Sequence, residues 1–264
     1  MARLDPVFAR TRAEGRAALI GYLPAGYPTV DDSAAHLSAM IEAGCDVVEV
    51  GVPYSDPVMD GPTIQAAADT ALKGGFRLRD LFRVVERVAS AGGQVVVMTY
   101  WNPVHAYGVD RFARDLAAAG GLGMITPDLV PDEAADWLAA SEAHDLDRIF
   151  LVAPSSTPER LASTAAATTG FLYATAVMGV TGARDQVGGA ASGLVARARE
   201  HAGDLPVAVG LGVRSGDQAA EVASFADAVV VGSAFVSRAG DVAGVRELAG
   251  ELAEGVRRRP VVAG

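Results

Sequence analysis

Val47-Val48-Glu49-Val50-Gly51-Val52-Pro53-Tyr54-Ser55-Asp56-Pro57-Val58-Met59-Asp60-Gly61-Pro62 begins as a strand and ends as a loop rich in glycine and proline. Glu49 stands inside the apolar run. An ionised carboxylate there costs several kcal/mol unless it is paired or can take up a proton. Asp56 and Asp60 follow on the loop. Two accounts fit the stretch by itself. Glu49 is either a structural acid bonded to backbone donors beside two turn-forming aspartates, or a proton-transfer group at the end of a barrel strand.

The rest of the chain repeats the same alternation. Asp5 to Ala13 reads as a short amphipathic helix before the first strand, Ala17 to Leu23. Thr29, Asp31 or Asp32 can cap the helix that follows, and Gly44 stops it. After the opening stretch come helices over Pro62–Leu72 and Arg79–Ala89, then a strand over Gln94–Thr99 and a loop, Tyr100-Trp101-Asn102-Pro103. The next pairs are a helix Val109–Ala119 with strand Gly123–Thr126, and a helix Asp132–His144 with strand Arg148–Val152. A helix capped by Ser156 or Thr157 runs through Ala167 and leads to strand Gly170–Ala174. A glycine-rich loop spans Ala176 to Gly189, before helix Ala190–His201 and strand Leu205–Val209. Ser215 caps a helix to Ala223, strand Ala226–Val231 follows, and a final helix runs from about Asp241 to Arg257.

Eight short apolar strands alternating with helices in a chain of 264 residues predict an α/β TIM barrel. It carries an extra N-terminal helix and a short helix opening after the eighth strand, and residues 1–264 read as one domain. A doubly wound open sheet is the alternative, since strand order is not written in the sequence.

Composition narrows the function. Half the residues are hydrophobic, as a sizeable core requires. Lysine plus arginine total 22 against 32 acidic residues, a formal charge of −10. That argues against nucleic acid as a partner, while leaving room for a small phosphorylated ligand. The lone Cys45 permits no intrachain disulfide, which fits a reducing cytoplasm, and reads as a packing residue. The first residues lack a signal-peptide core, and no apolar run reaches the ~18 residues of a membrane span. His36, His105, His144 and His201 have no metal-ligand spacing and read as surface residues, so no metal site is expected. The run Arg257-Arg258-Arg259 reads as a solvated helix end.

In a barrel, the loops after the strands share one rim. Gly210-Leu211-Gly212 follows the seventh strand and Gly232-Ser233 the eighth. Glycines let backbone N–H groups approach phosphate oxygens, and Ser233 adds a hydroxyl donor, so this end of the rim reads as a phosphate site that needs no lysine or arginine, or else as plain turn chemistry after two strands. The loop Met178 to Gly189 is long enough to be an active-site lid, or else a plain connector. Tyr22, Tyr54, Tyr100, Trp101 and Tyr173 fall at strand ends. With Leu211 and Val230 they line an apolar slot for a planar ring, or serve singly as rim packing.

Together these residues resemble the tryptophan synthase alpha chain family over nearly the whole length. The most specific element is Glu49 to Pro57 followed by Asp60-Gly61-Pro62-Thr63-Ile64-Gln65. Tyr22 to Pro28, Met98 to Pro103, Gly179-Val180-Thr181-Gly182 and Val231-Gly232-Ser233-Ala234 support it in the right order. The resemblance implies a TIM barrel that cleaves indole-3-glycerol phosphate to indole and glyceraldehyde 3-phosphate, a retro-aldol lyase reaction without metal or organic cofactor. It implies Glu49 as the proton shuttle and Asp60 as acceptor of the indole N–H. Thr181 would position Asp60, Gly182, Gly212, Gly232 and Ser233 would hold the phosphate, and Tyr100 and Tyr173 would line the cavity with Tyr22 and Leu211. Pro53 and Asp56 match an inter-chain contact with a pyridoxal-phosphate-dependent beta chain, in an alpha2beta2 assembly. Four positions depart from the commonest family pattern: Tyr22, Tyr54, Met59 and Leu211. A stand-alone lyase releasing free indole is the second reading. An idle barrel that only activates a beta-type chain is the third, and the intact Glu49 and Asp60 speak against it.

Overall fold

Side chains along a barrel strand point alternately into the barrel and out toward the helices, so each strand needs two apolar faces. A computed structural model of the chain describes residues 2–175, 184–210 and 212–258. Its eight strands are β1 (Ala18–Pro24), β2 (Val47–Gly51), β3 (Val95–Met98), β4 (Gly123–Thr126), β5 (Asp147–Val152), β6 (Leu172–Thr175), β7 (Val207–Gly210) and β8 (Ala228–Val231). They are all parallel, pair in chain order and close through β8 onto β1. This is the predicted TIM barrel, and the open sheet is excluded.

The alternation sorts the core into two clusters. Ile20, Val47, Val96, Ile125, Ile149 and Phe171 pack inside the barrel. Leu19, Val48, Val50, Val95 and Val97 pack outward against the helices. The helix α1 (Asp5–Ala13) has the predicted bounds and, with its N-cap Leu4, sends Val7 and Phe8 into the inner cluster, closing the barrel floor. Phe8 meets Phe171 with ring centroids 5.9 Å apart.

Two buried carboxylates pin that floor. Asp147 accepts the Leu4 N–H at 2.9 Å and the Thr169 hydroxyl at 3.0 Å. Asp46 accepts both guanidinium nitrogens of Arg16 at 2.7 and 2.8 Å, Arg10 at 2.8 Å and the Leu19 N–H at 3.0 Å. Arg16 is itself buried.

The outer helices are α2 (Val30–Glu42), α3 (Pro62–Lys73), α4 (Leu78–Ser90), α5 (Trp101–Tyr107), α6 (Val109–Ala118), α7 (Ala135–Ala143), α8 (Pro158–Ala167), α9 (Arg184–Ala202), α10 (Gly216–Ala223), α11 (Ser233–Val236) and α12 (Val242–Arg257). Of the alternative caps, Thr29 takes α2 by accepting the Asp32 N–H, and Thr157 takes α8 by accepting that of Arg160. Ser215 caps α10 as expected. None of the described helices is long and apolar enough to cross a membrane.

Four expectations are corrected. The segment expected as a loop, Tyr100 to Pro103, opens α5, with Tyr100 as its N-cap. Pro103 falls in the first turn, where its missing N–H costs no helix bond. The helix expected over Asp132–His144 is a 3-10 turn at Pro131–Glu133 and then α7, divided at Ala134. The backbone is already helical at Arg184, so α9 takes in Gly188 and Gly189, a tolerated cost of about 1 kcal/mol each. His36 is buried, not on the surface. Its Nε2 accepts the Gly240 N–H at 3.0 Å, so Nδ1 carries the proton and donates to the Asp32 carbonyl at 2.5 Å. Cys45 is buried, as a packing residue should be, and burial raises its thiol well above the ordinary value.

Candidate active site

Counting by twos along the inner face of each strand leads up to the C-terminal rim. On β2 the step from Val47 reaches Glu49, which lies in register with Tyr22 of β1 and Val96 of β3. Glu49 is 1% exposed, and neither carboxylate oxygen has a hydrogen-bond partner among the described residues. Burial pushes its carboxyl up to about 8. At neutral pH the group holds its proton, yet the anion lies within easy reach.

Glu49 opens onto a cavity of about 480 Å3 at the barrel mouth, a volume suited to a small organic ligand. Tyr22, Met98, Leu151, Tyr173 and Val230 make its apolar wall. Two of these rings depend on a glycine of the neighbouring strand. A Cβ on Gly51 would collide with the Tyr22 hydroxyl and ring, and a Cβ on Gly210 would lie 2.7 Å from the Tyr173 hydroxyl. Without them the two tyrosines lie along the wall and leave the centre open. Both phenols are held well above their ordinary value, chiefly by burial. The charges of Asp60 and Glu49 add to this at Tyr22, and that of Glu49 at Tyr173.

Asp60 comes from the loop after β2 and lines the same cavity. Burial raises its carboxyl, and a hydrogen bond from the Tyr100 side chain opposes the rise. Tyr100 also accepts the Met59 N–H at 2.9 Å, and its ring stacks with that of Tyr54 at 5.2 Å. The start of α5 is fixed in turn by the Trp101 N–H donating to Asp128 at 2.9 Å. The helix that replaced the expected loop thus holds Tyr100 against the Asp60 segment.

Gly212, Gly232, Ser233 and Arg214 line the same cavity. Gly212 turns the chain at φ 65°, a left-handed conformation that favours glycine. Ser233 begins α11 at the cavity wall.

Nine of the expected residues therefore meet at one cavity: Glu49, Asp60, Tyr22, Tyr173, Val230, Gly210, Gly212, Gly232 and Ser233. Tyr100 stands behind the Asp60 loop. Pro53 is buried within the chain's own fold, while Asp56 is exposed and accepts the Ser55 hydroxyl at 2.6 Å. Thr181, Gly182 and Leu211 lie outside the described residues, as does the proposed lid before Arg184. Sequence reasoning gave no site role to Met98, Leu151 and Arg214. Met98 and Leu151 sit two residues beyond the inward Val96 and Ile149, so inner-face counting would have found them. No comparable signal marked Arg214.

The family model described as "Tryptophan synthase alpha chain" matches residues 8–257. A tryptophan synthase alpha chain of Nocardia farcinica is 66% identical over 260 residues, covering 98% of this chain and 97% of its own. One from Mycobacterium marinum is 65% identical over 258 residues, covering 97% and 96%. Among solved structures, a Mycobacterium tuberculosis tryptophan synthase chain superposes with a TM-score of 0.92 at 63% identity, covering 97% of this chain and 98% of that one. An Aquifex aeolicus protein superposes at 0.88 with 36% identity, covering 97% and 100%.

Proposed function

The chain belongs to the tryptophan synthase alpha chain family, and on that premise we infer that its barrel mouth cleaves indole-3-glycerol phosphate to indole and D-glyceraldehyde 3-phosphate. It does so as the alpha subunit of tryptophan synthase in L-tryptophan biosynthesis, with a beta chain as partner. We place the assembly as alpha2beta2 and its compartment as the cytoplasm. We read residues 1–264 as one barrel domain.

The observation that carries the assignment of roles is the buried, unpartnered Glu49 carboxyl, pushed up to about 8. Cleavage needs a proton delivered to indole C3 and one removed from the hydroxyl on the adjacent side-chain carbon. That hydroxyl oxygen then becomes the aldehyde as the carbon–carbon bond breaks. Protonated Glu49 delivers the first proton, and its carboxylate takes up the second, so the group ends each turnover as it began. Asp60 accepts the indole N–H and stabilises the positive charge that develops on the ring once C3 is protonated. Tyr22, Met98, Leu151, Tyr173 and Val230 enclose the ring, and the low dielectric they create strengthens both carboxylate interactions. Gly212, Gly232 and Ser233 receive the phosphate, with Gly182 joining them and Thr181 positioning Asp60. Leu211 completes the ring slot and Tyr100 supports the Asp60 loop. Asp56 belongs to the face toward the beta chain, with the buried Pro53 supporting the loop behind it, and nearby Val58 and Met59 are 78% and 51% exposed.

Indole release from indole-3-glycerol phosphate is the test, measured with the chain alone and with added beta chain. Strong stimulation by the beta chain supports the subunit role, while full activity alone favours a stand-alone lyase. Glu49→Gln should abolish release without unfolding the protein, and wild-type turnover in that variant would refute the proton-transfer role.

A further inference from the structure

Arg214 lines the same cavity as Gly212, Gly232 and Ser233. Its position is set by a stiff corner. Gly212 turns the chain at φ 65°, and Val213 is buried. The Arg214 N–H donates to Gln218 Oε1 at 2.7 Å, and Ser215 accepts the Gln218 N–H at 3.4 Å to cap α10. The backbone on both sides of Arg214 is thereby held while the residue itself remains exposed and lines the cavity. Elsewhere that cavity carries Glu49 and Asp60, in a chain of formal charge −10. Glu49 is protonated at neutral pH, but a phosphorylated substrate must still bring a dianion past Asp60 into the mouth of a net acidic chain. Backbone N–H groups and one serine hydroxyl supply only partial charges against it, whereas a guanidinium is always ionised and offers a fork of donors matched to phosphate oxygens.

We propose that Arg214 is a substrate-binding residue that engages the phosphate of indole-3-glycerol phosphate. It draws the dianion to the Gly212–Ser233 end and so sets the indole toward Glu49 and Asp60. The proposal rests on the reading of that end as the phosphate site and adds a charged ligand to it. A cation at the mouth also raises the capture rate of an anionic substrate, an effect that salt removes.

The test uses the complex with its beta chain and two variants, Arg214→Gln and Arg214→Lys. The measured quantities are kcat and KM for indole-3-glycerol phosphate, with inorganic phosphate and indole as inhibitors, at ~0.05 M and ~0.5 M salt. For Arg214→Gln, KM and the phosphate inhibition constant should rise about tenfold at low salt, with kcat within about twofold and indole inhibition unmoved. The gap should narrow at high salt, and Arg214→Lys should recover part of it. Unchanged KM and phosphate inhibition in Arg214→Gln overturn the assignment. Should phosphate fail to compete with substrate in the unaltered enzyme, the phosphate reading itself falls, and the role of Arg214 with it.

Discussion

Asp46 and Glu49 are three residues apart, both buried, and chemically alike, yet the two ends of the barrel treat them oppositely. At the floor Asp46 is enclosed by Arg16, Arg10 and the Leu19 N–H. Burial alone would raise its carboxyl, but the Arg16 hydrogen bonds and the Leu19 N–H outweigh it and hold the group below the ordinary carboxylate value. At the mouth Glu49 has no such partner, and burial alone sets its carboxyl. Burial therefore does not separate a structural acid from a reactive one. What separates them is whether the surrounding polar groups complete the anion. A completed carboxylate stays ionised into acid, while an incomplete one keeps its proton to a higher pH and its burial costs stability.

The largest expected effect is on the reactive acid. Glu49→Gln should lower kcat for indole release about a thousandfold, within the usual range for losing a positioned acid–base group, while circular dichroism stays native. An acid–base group at the floor would make no such difference, so Asp46→Ala should leave kcat per folded molecule near wild type. That variant should instead lose about 3 kcal/mol in urea unfolding, because Arg16 is left buried without its partner. If Asp46→Ala unfolds at the wild-type urea midpoint, the contrast fails.

The pH dependence of stability should separate the two ends more finely. In the folded chain Glu49 binds its proton up to about pH 8, against an ordinary value of 4.5, so between these values the folded state holds more protons than the unfolded one. Stability must then fall as pH rises through that window, by about 2 kcal/mol between pH 6 and 8, and Glu49→Gln should remove the slope. Asp46 has the opposite sign. Its contribution is complete above the ordinary carboxylate range and is lost only as acid titrates the folded group. A wild-type stability curve parallel to that of Glu49→Gln would show that Glu49 is less isolated than its geometry indicates. The smallest effect belongs to the cavity wall. Gly51→Ala should cost about 1–2 kcal/mol by pressing on Tyr22, and should raise KM as the ring moves inward. Adding Tyr22→Leu should recover part of that loss, and strict additivity of the two would deny the contact.

The fold was legible because alternation is local. Val47 to Gly51 and its seven counterparts each announced a strand, and eight of them left a closed barrel as the economical arrangement. Glu49 stood out for the same reason, as one acid in an apolar run. What escaped depends on contacts across the chain. His36 looked like any polar helix residue, and only the Gly240 N–H, brought in from the other end of the sequence, explains its burial. Asp46 carries no signal in the sequence, since its partners Arg16 and Arg10 follow no spacing rule. Tyr100 to Pro103 was expected as a loop because proline and asparagine are common there, yet the Trp101 N–H found Asp128 and a helix began. Arg214 is one arginine among many until the turn at Gly212 places it at the cavity.

The inner cluster below Glu49, from Ile20 and Val96 down to Leu4 and Phe8 of α1, is packed and apolar throughout. A barrel so filled is a blind well and not a pipe. Substrate and both products must therefore pass on the side of the rim. Product order, product inhibition and the timing of partner contact are then decided at the rim and left untouched by the floor.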